Sequence, residues 1–267
     1  MKQKITLLML MVLTAMFTFG QNRVQNLSEK QRLDSVIFME KNSSTGLLEN
    51  YNKHEYSYND KEKVASSIYS TWNSTTQAWN KNFKYDYTYN ENGNVTFKIC
   101  SLWNCTTQTW KNDFKCEYTY SDNGYETIEI RSRWNETTQT WDKSLKNEYT
   151  YNADGNWTLR VSCQWNSTTQ KWIFSSKNEN TYDANGYLIM DIFSRWNTTT
   201  QKWDTIFKYD YTNNANGNPI LEICSLWNST TQSWEYNDDS EKYENTYDAN
   251  GNLISGISSD WNSSAGQ

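Results

Sequence analysis

Residues 72–103 read WNSTTQAWNKNFKYDYTYNENGNVTFKICSLW, and this stretch decides the fold because the chain repeats it. Its opening block, Trp-Asn-x-Thr-Thr-Gln-x-Trp, recurs every 31 residues. The complete copies begin at Trp72, Trp103, Trp134, Trp165, Trp196 and Trp227. A further start, Trp261, comes 34 residues after the last of these because three extra residues lie between Glu235 and Glu241. The sequence therefore predicts a tandem array of one structural unit.

Side chains within each unit alternate with a period of two. Tyr85 and Tyr87 alternate with Lys84 and Asp86, and the same alternation resumes after Gly93. A period of two is typical of β-strands, whose successive side chains point to opposite faces. Each unit is therefore predicted to be a β-hairpin with two strands of about 10 residues.

The glycine turn predicts how these two strands pair. A three-residue loop that ends at Gly93 needs a left-handed backbone at its third position, which glycine adopts without steric cost. This loop places Tyr89 opposite Val95 and, by continued counting, Tyr87 opposite Phe97. A two-residue loop would place polar side chains opposite apolar ones.

The second turn gives a matching prediction. A four-residue loop over residues 105–108 places Trp103 opposite Trp110, and continued counting places Phe114 opposite Ile99. Together the two turns predict one aromatic face and one polar face. The polar face would carry lysines two residues before an acidic residue, at Lys84, Lys115, Lys146, Lys177 and Lys208.

These hairpins predict an all-β protein, an antiparallel meander of about seven 31-residue repeats. A sheet this wide with one aromatic face should curl or wind into a superhelix, and closure into a β-barrel is the alternative. Because the last block breaks off after Trp261, both a terminal half hairpin and a longer reading frame fit the sequence. The predicted boundaries are 1–20 for a signal peptide, 21–32 for a lead segment and 33–267 for the array, which is degenerate over 33–71, regular over 72–234 and irregular over 235–267.

The first residues have the features of a targeting signal. Lys2 and Lys4 precede an uncharged apolar run, residues 5–19, and Gly20 offers a small residue for cleavage. This pattern predicts a secretory signal peptide, and hence an extracellular, cell-surface or periplasmic protein of a Gram-negative-type bacterium. Its removal leaves 23 basic and 31 acidic residues, a net charge of −8. An acidic chain argues against a nucleic-acid partner, and no span of the mature chain is apolar enough to cross a membrane.

Sequence evidence for chemistry is sparse. The five Cys form no closed set of disulfides and lack C-x-x-C spacing, so we interpret them as substitutions at Ser or aromatic positions. His54, the only histidine, is interpreted as a surface or strand residue. The Asp-x-Asn-Gly turns suit ordinary turn chemistry better than a calcium loop. We therefore predict no catalytic residue, no metal and no cofactor.

The most site-like feature is the tryptophan pair that flanks each Thr-Thr-Gln turn. Such pairs serve either as clamps that hold the hairpin ends together or as a repeated platform for a glycan or a host or cell-surface protein. The candidate platform residues are Trp103, Trp110, Trp134, Trp141, Trp165, Trp172, Trp196, Trp203, Trp227 and Trp234.

Two turns resemble a known family. Residues 182–188 and 247–253, YDANGYL and YDANGNL, are similar to the YD repeats of Rhs-type secreted bacterial proteins, although the period is longer here and the tryptophan block is extra. The resemblance implies hairpins that build a curling β-sheet, export, and a structural or binding role without catalytic residues. The leading hypothesis is an exported, non-enzymatic binding or adhesion module. The alternatives are a structural spacer of a larger secreted protein and a glycan-binding accessory protein.

Overall fold

A computed structural model describes residues 32–43, 45–236 and 240–260, and all regular structure in these ranges is β-strand. The signal peptide predicted at residues 1–20 lies outside them, as does Trp261. The strands are β1 (Ser35–Lys41), β2 (Leu48–Tyr58), β3 (Val64–Asn73), β4 (Ala78–Tyr89), β5 (Val95–Asn104), β6 (Thr109–Tyr120), β7 (Glu126–Asn135), β8 (Thr140–Tyr151), β9 (Trp157–Asn166), β10 (Lys171–Tyr182), β11 (Leu188–Asn197), β12 (Lys202–Asn213), β13 (Pro219–Asn228), β14 (Ser233–Glu235), β15 (Glu241–Tyr247) and β16 (Leu253–Asp260).

The strands form one antiparallel sheet in which neighbours in sequence are neighbours in space. β14 and β15 both pair with β13, β14 with residues 226–228 and β15 with residues 221–223, so together they take the place of one long strand. The predicted all-β antiparallel meander is confirmed. Within the described ranges the sheet order begins at β1 and ends at β16 without a pairing between these two strands, so the alternative of a closed barrel is wrong.

The chain divides into two compact units. The first unit contains the residues up to 116 together with residues 133–141, and the second contains residues 117–132 and those from 142 onward. The contacts described below each lie within one unit.

The glycine turns have the predicted geometry. The backbone of Gly93 has φ of 81° and its N–H donates to the carbonyl of Asn90 over 3.0 Å. The N–H of Asn90 donates to the carbonyl of Asn94 over 2.9 Å, which closes a three-residue loop and leaves Tyr89 opposite Val95. The predicted loop length and its first pair are therefore confirmed.

Beyond that first pair the predicted strand register is wrong. Thr88 lies opposite Phe97 and Tyr87 lies opposite Lys98, because Thr96 is an extra residue in β5. An extra residue of this kind is a β-bulge, which shifts every later pair by one position. The same shift follows the turn in other hairpins, between Ser57 and Tyr58, Thr150 and Tyr151, Thr181 and Tyr182, Thr212 and Asn213, and Thr246 and Tyr247.

A second bulge follows the Thr-Thr-Gln hairpin end in the pairs β3–β4, β9–β10 and β11–β12. Trp72 lies opposite Trp79, as the four-residue loop predicts, but the pairing then skips Asn82. The predicted pair, Phe114 opposite Ile99, corresponds one repeat earlier to Phe83 opposite Ile68. The structure instead places Lys84 opposite Ile68. The predicted opposition is therefore wrong at this end of the hairpin as well.

This second bulge separates the aromatic residues onto two faces. Lys84 and Trp79 lie on one face, which we call the tryptophan face, whereas Phe83 and Tyr85 lie on the other, which we call the tyrosine face. The prediction of a single aromatic face is therefore wrong, because an inserted residue exchanges the two faces for the remainder of the strand.

The most buried side chains are small. On the tryptophan face, the residue two positions before the first tryptophan of each pair is at most 4% exposed. These residues are Ser70, Ser101, Ser132, Cys163, Ser194 and Ser225. Where the described pairing reaches them, a lysine stands opposite, as Lys84 does opposite Ser101. Each small residue with a described partner of this kind therefore lies beside a much longer lysine side chain.

On the tyrosine face, the last tyrosine of a glycine-turn strand is tied to the preceding repeat. The hydroxyl of Tyr89 donates to the carbonyl of Val64 over 2.8 Å, and that of Tyr151 donates to the carbonyl of Glu126 over 2.7 Å. Each acceptor begins the strand that follows the previous glycine turn. Equivalent ties join Tyr58 to Leu33, Tyr182 to Trp157 and Tyr247 to Pro219.

Candidate functional site

The tryptophan pairs form a repeated site on the tryptophan face. In every pair the ring centroids lie 4.9–5.1 Å apart and the ring planes meet at 63–69°, an edge-to-face contact. All of these indoles are half-buried. The structure thus brings the predicted platform residues together two by two, with a sixth pair at Trp72 and Trp79.

The Thr-Thr-Gln turns hold the pairs through an asparagine and a strained glutamine. The Oδ1 of Asn104 accepts hydrogen bonds from the backbone N–H groups of Thr106 and Thr107, both over 3.0 Å. The loop then ends at Gln108 in the left-handed region with φ of 53°. Glycine is the residue that usually marks such a position, so sequence reasoning missed these glutamines. The others are Gln77, Gln139, Gln170, Gln201 and Gln232.

A lysine of the preceding repeat lies over the second tryptophan of a pair. The Nζ of Lys84 is 6.0 Å from the ring centroid of Trp110 and 2.6 Å from a carboxylate oxygen of Asp86. Because these carboxylates are about 40% exposed, such ion pairs each contribute at most about 1 kcal/mol. The same arrangement recurs at Lys146 with Trp172, Lys177 with Trp203 and Lys208 with Trp234.

Another residue of the preceding repeat lies over the first tryptophan. The Nζ of Lys81 is 4.5 Å from the ring centroid of Trp103, and the ring of Phe174 lies 5.1 Å from that of Trp196. Phe174 is nonetheless 44% exposed. A cation or a ring of the preceding repeat therefore covers part of these indoles.

The remaining tryptophan, Trp157, belongs to the other face. It lies opposite Tyr151, and its equivalents 31 residues before and after are Glu126 and Leu188. Because Trp157 stands in a position that other repeats fill with unrelated residues, it serves as an internal comparison for the paired tryptophans.

His54 and the five cysteines, for which the sequence predicts no catalytic role, lie in strands and in one turn. His54 lies in β2, where its ring centroid is 5.0 Å from that of Tyr69, and burial lowers its pKa. All five cysteines are free; Cys105 is exposed and the others are buried. Burial raises the pKa of the Cys163 thiol, which keeps it protonated and unreactive.

In the described part of the chain, neither a metal-binding cluster nor a candidate membrane helix is present. Residues 32–43, 45–236 and 240–260 contain no group of three or more His, Cys, Asp or Glu side chains placed to hold a metal ion. The same residues include no helix with the length and apolar character that crossing a membrane requires.

Comparison with known proteins places the chain in a family. A family model described as a family of unknown function, DUF3836, matches residues 1–84 and 80–147. The chain belongs to the DUF3836 family. No curated protein matches it. Neither this DUF3836 membership nor the fold points to a catalytic activity.

Several solved structures are similar to the chain at low identity. A Bacteroides fragilis protein of unknown function is 21% identical over 48% of this chain and 91% of its own, with a TM-score of 0.44. A DUF3836 protein from Bacteroides vulgatus is 24% identical over 35% of this chain and 90% of its own, with a TM-score of 0.30. The Tc holotoxin pore of Photorhabdus luminescens is 12% identical over 86% of this chain and 13% of its own, with a TM-score of 0.35.

Proposed function

We propose that this protein is an exported, non-enzymatic binding module that holds a polysaccharide along its tryptophan face. The observation that carries the proposal is the repetition of one half-buried tryptophan pair at a constant sequence interval. Indoles stack on the apolar faces of sugar rings, and the Asn, Thr and Gln side chains of the turns surround each pair with hydrogen-bonding groups.

The spacing of the pairs favours a polymer over a small molecule. Consecutive pairs are two strands apart, which within a regular sheet corresponds to about 9.5 Å. Within one unit, a chain of sugars that lies across the strands would meet equivalent pairs in succession, as at Trp165, Trp196 and Trp227. Individually weak contacts then combine, because each one raises the effective concentration of the next.

A structural spacer is the second candidate, and one observation favours it. Lysines and Phe174 already occupy positions beside the indoles, as Lys81 does at Trp103. In this case the pairs clamp the hairpin ends, and each edge-to-face contact is worth about 0.5–1.5 kcal/mol beyond the area it buries.

Retention on immobilised polysaccharides tests the proposal. The full chain would be run through gels that contain xylan, β-glucan, mannan or chitin, as wild type and as the variant Trp165→Phe/Trp196→Phe. Phenylalanine keeps a ring in each clamp but offers a smaller stacking surface, so we expect retention by at least one polymer and weaker retention of the variant. Trp157→Leu is the matched control, since Leu188 fills the equivalent position.

Two outcomes would contradict the proposal. One is that no polymer retards the wild type, which would favour the spacer. The other is that the paired-tryptophan variant and Trp157→Leu are retarded as strongly as the wild type while thermal unfolding shows that all three are folded, which would mean that retention does not depend on the tryptophan pairs.

Export belongs to the same proposal and has its own test. The basic residues and apolar run of residues 1–19 support cleavage after Gly20. Expression in a Gram-negative host should give a periplasmic or extracellular protein whose first residue is Gln21. An intact N-terminus in the cytoplasmic fraction would refute export.

A further inference from the structure

One strand of the second unit departs from the repeat on the tyrosine face. β12 carries Tyr209 and Tyr211 two residues apart, whereas the equivalent positions in β10 are Asn178 and Asn180. Asn147 already carries an amide at the first of these positions one repeat earlier, whereas Asn180 replaces a tyrosine that the repeats on both sides keep, at Tyr149 and Tyr211. Because Asn180 departs from the repeat, the repeat itself does not require this amide.

The first amide joins a cation to a carboxylate. The Nη2 of Arg160 donates to the Oδ1 of Asn178 over 2.9 Å, and the Nδ2 of Asn178 donates to the Oδ1 of Asp191 over 3.2 Å. These residues lie on the three adjacent strands β9, β10 and β11. The relay fixes the position of a partly buried carboxylate, whose pKa is raised by burial.

The second amide has an unused acceptor. Asn180 lies directly opposite Asp191 and is only 8% exposed. Its Nδ2 donates to the hydroxyl of Tyr182 over 3.1 Å, but its Oδ1 accepts no hydrogen bond. A buried acceptor without a donor is costly and rare in folded proteins, and a ligand hydroxyl or amide would supply the missing donor.

Aromatic rings border these polar groups. Tyr209 lies opposite Asp191, and its ring stacks with that of Tyr211 at a centroid distance of 6.3 Å. Tyr211 lies opposite Glu222. Burial and then the charges of Glu222 and Asp191 raise the pKa of Tyr211, so its hydroxyl remains a donor at neutral pH.

We infer that Asn180, Asp191 and Tyr211 bind the hydroxyl groups of a neutral or amino sugar on the tyrosine face. Sugars require donors and acceptors beside an apolar ring, and this site combines them. Two carboxylates, Asp191 and Glu222, outnumber the single cation Arg160, which disfavours an acidic sugar. The guanidinium of Arg160 also disfavours a bare metal ion.

Isothermal titration of the full chain with three trisaccharides tests this site: cellotriose, chitotriose and trigalacturonate. We expect binding of cellotriose or chitotriose and none of trigalacturonate. Asp191→Asn keeps the shape but replaces the acceptor charge, and should weaken binding about tenfold or more. Asn178→Tyr/Asn180→Tyr restores the residues of β12 and should abolish binding in a chain that still folds.

The matched control is Asp154→Asn, the same exchange at an exposed turn residue whose equivalents in the next two repeats are Asn185 and Asn216, and it should leave the trisaccharide affinity unaltered. The assignment is overturned if neither neutral nor amino trisaccharide binds, if trigalacturonate binds as tightly, or if Asp191→Asn retains wild-type affinity. Gel retention of Trp165→Phe/Trp196→Phe tests the tryptophan face, and trisaccharide titration of Asp191→Asn tests this site, so either proposal can fail while the other holds.

Discussion

A glycine of the glycine turns is required for its positive φ and, at some turns, also for the space that its missing side chain leaves. Gly155 has φ of 85°, and a Cβ at this position would also lie 2.7 Å from the Cζ of Tyr125, a residue of the preceding turn. Gly186 has φ of 81°, but its Cβ would lie 3.3 Å from the Nδ2 of Asn156. Backbone conformation therefore requires glycine at both turns, whereas close packing of a ring requires it only at the first.

These two glycines should differ in their response to alanine. Both substitutions place a side chain at positive φ, but Gly155→Ala must also displace a tyrosine ring, so it should destabilise the protein by about 1–3 kcal/mol more than Gly186→Ala. Urea unfolding measures the difference. Tyr125→Asn copies the residue of the neighbouring turns, and in this background Gly155→Ala should lower the free energy of unfolding no more than Gly186→Ala does. If the two alanine substitutions are equally destabilising in the wild-type background, the packing argument is contradicted.

At the scale of the strand, the bulges are held by side chains as well as by the backbone. The Oδ1 of Asn82, the extra residue in β4, accepts hydrogen bonds from the N–H of Thr71 over 2.9 Å and from its hydroxyl over 3.1 Å. The asparagine thus replaces the backbone partner that the bulge removes from the ladder.

Removal of this amide should destabilise the hairpin. Asn82→Ala leaves a partly buried N–H without its acceptor, which costs about 1–3 kcal/mol. Asn80→Ala is the matched control, since Asn80 is exposed in the same strand. Hydrogen exchange of the Thr71 amide would show the loss directly: we expect faster exchange in Asn82→Ala alone, and equal exchange in both variants would argue against the role.

The strands also show what sequence could and could not predict. Glycine chemistry and the Trp-Trp symmetry predict each loop and its first pair, because turn residues have strong local preferences. The bulges follow no such preference: the extra residue is Asn82 in one hairpin, Ser175 in another and Ile206 in a third. Without a local signal, the two aromatic sets could not be assigned to opposite faces.

At the scale of the whole molecule, each repeat contacts mainly its neighbours, so the repeat number should be adjustable. Removal of residues 166–196, one 31-residue period, joins Trp165 to Asn197 and restores the block. We expect a folded β-protein with a similar thermal transition by circular dichroism. Removal of residues 166–195 leaves one residue too many, so the side chains of the following strand exchange faces. This second deletion should prevent cooperative folding, and equal thermal stability of the two deletions would refute the prediction.

The candidate sites were predictable to different degrees. The tryptophan pairs are visible in the sequence because they recur, and the structure adds only the lysines that lie over them. The site around Asn180 was missed, because a single departure from a repeat resembles neutral variation until Asp191 is found opposite an amide oxygen without a donor. Its signal in the sequence was Asn180, which replaces a tyrosine that the neighbouring repeats keep at Tyr149 and Tyr211.

The tyrosine ties between repeats make part of the stability of the sheet depend on pH. Burial raises the pKa of Tyr89 and Tyr151 above the ordinary value of 10.0, so the stabilisation they give is complete below that pH and is lost as the pH rises through their folded values. A phenolate cannot donate to a carbonyl. Alkali would thus remove the tie of each of these two tyrosines to the preceding repeat and weaken the sheet first beside its glycine turns, while the backbone ladder remains.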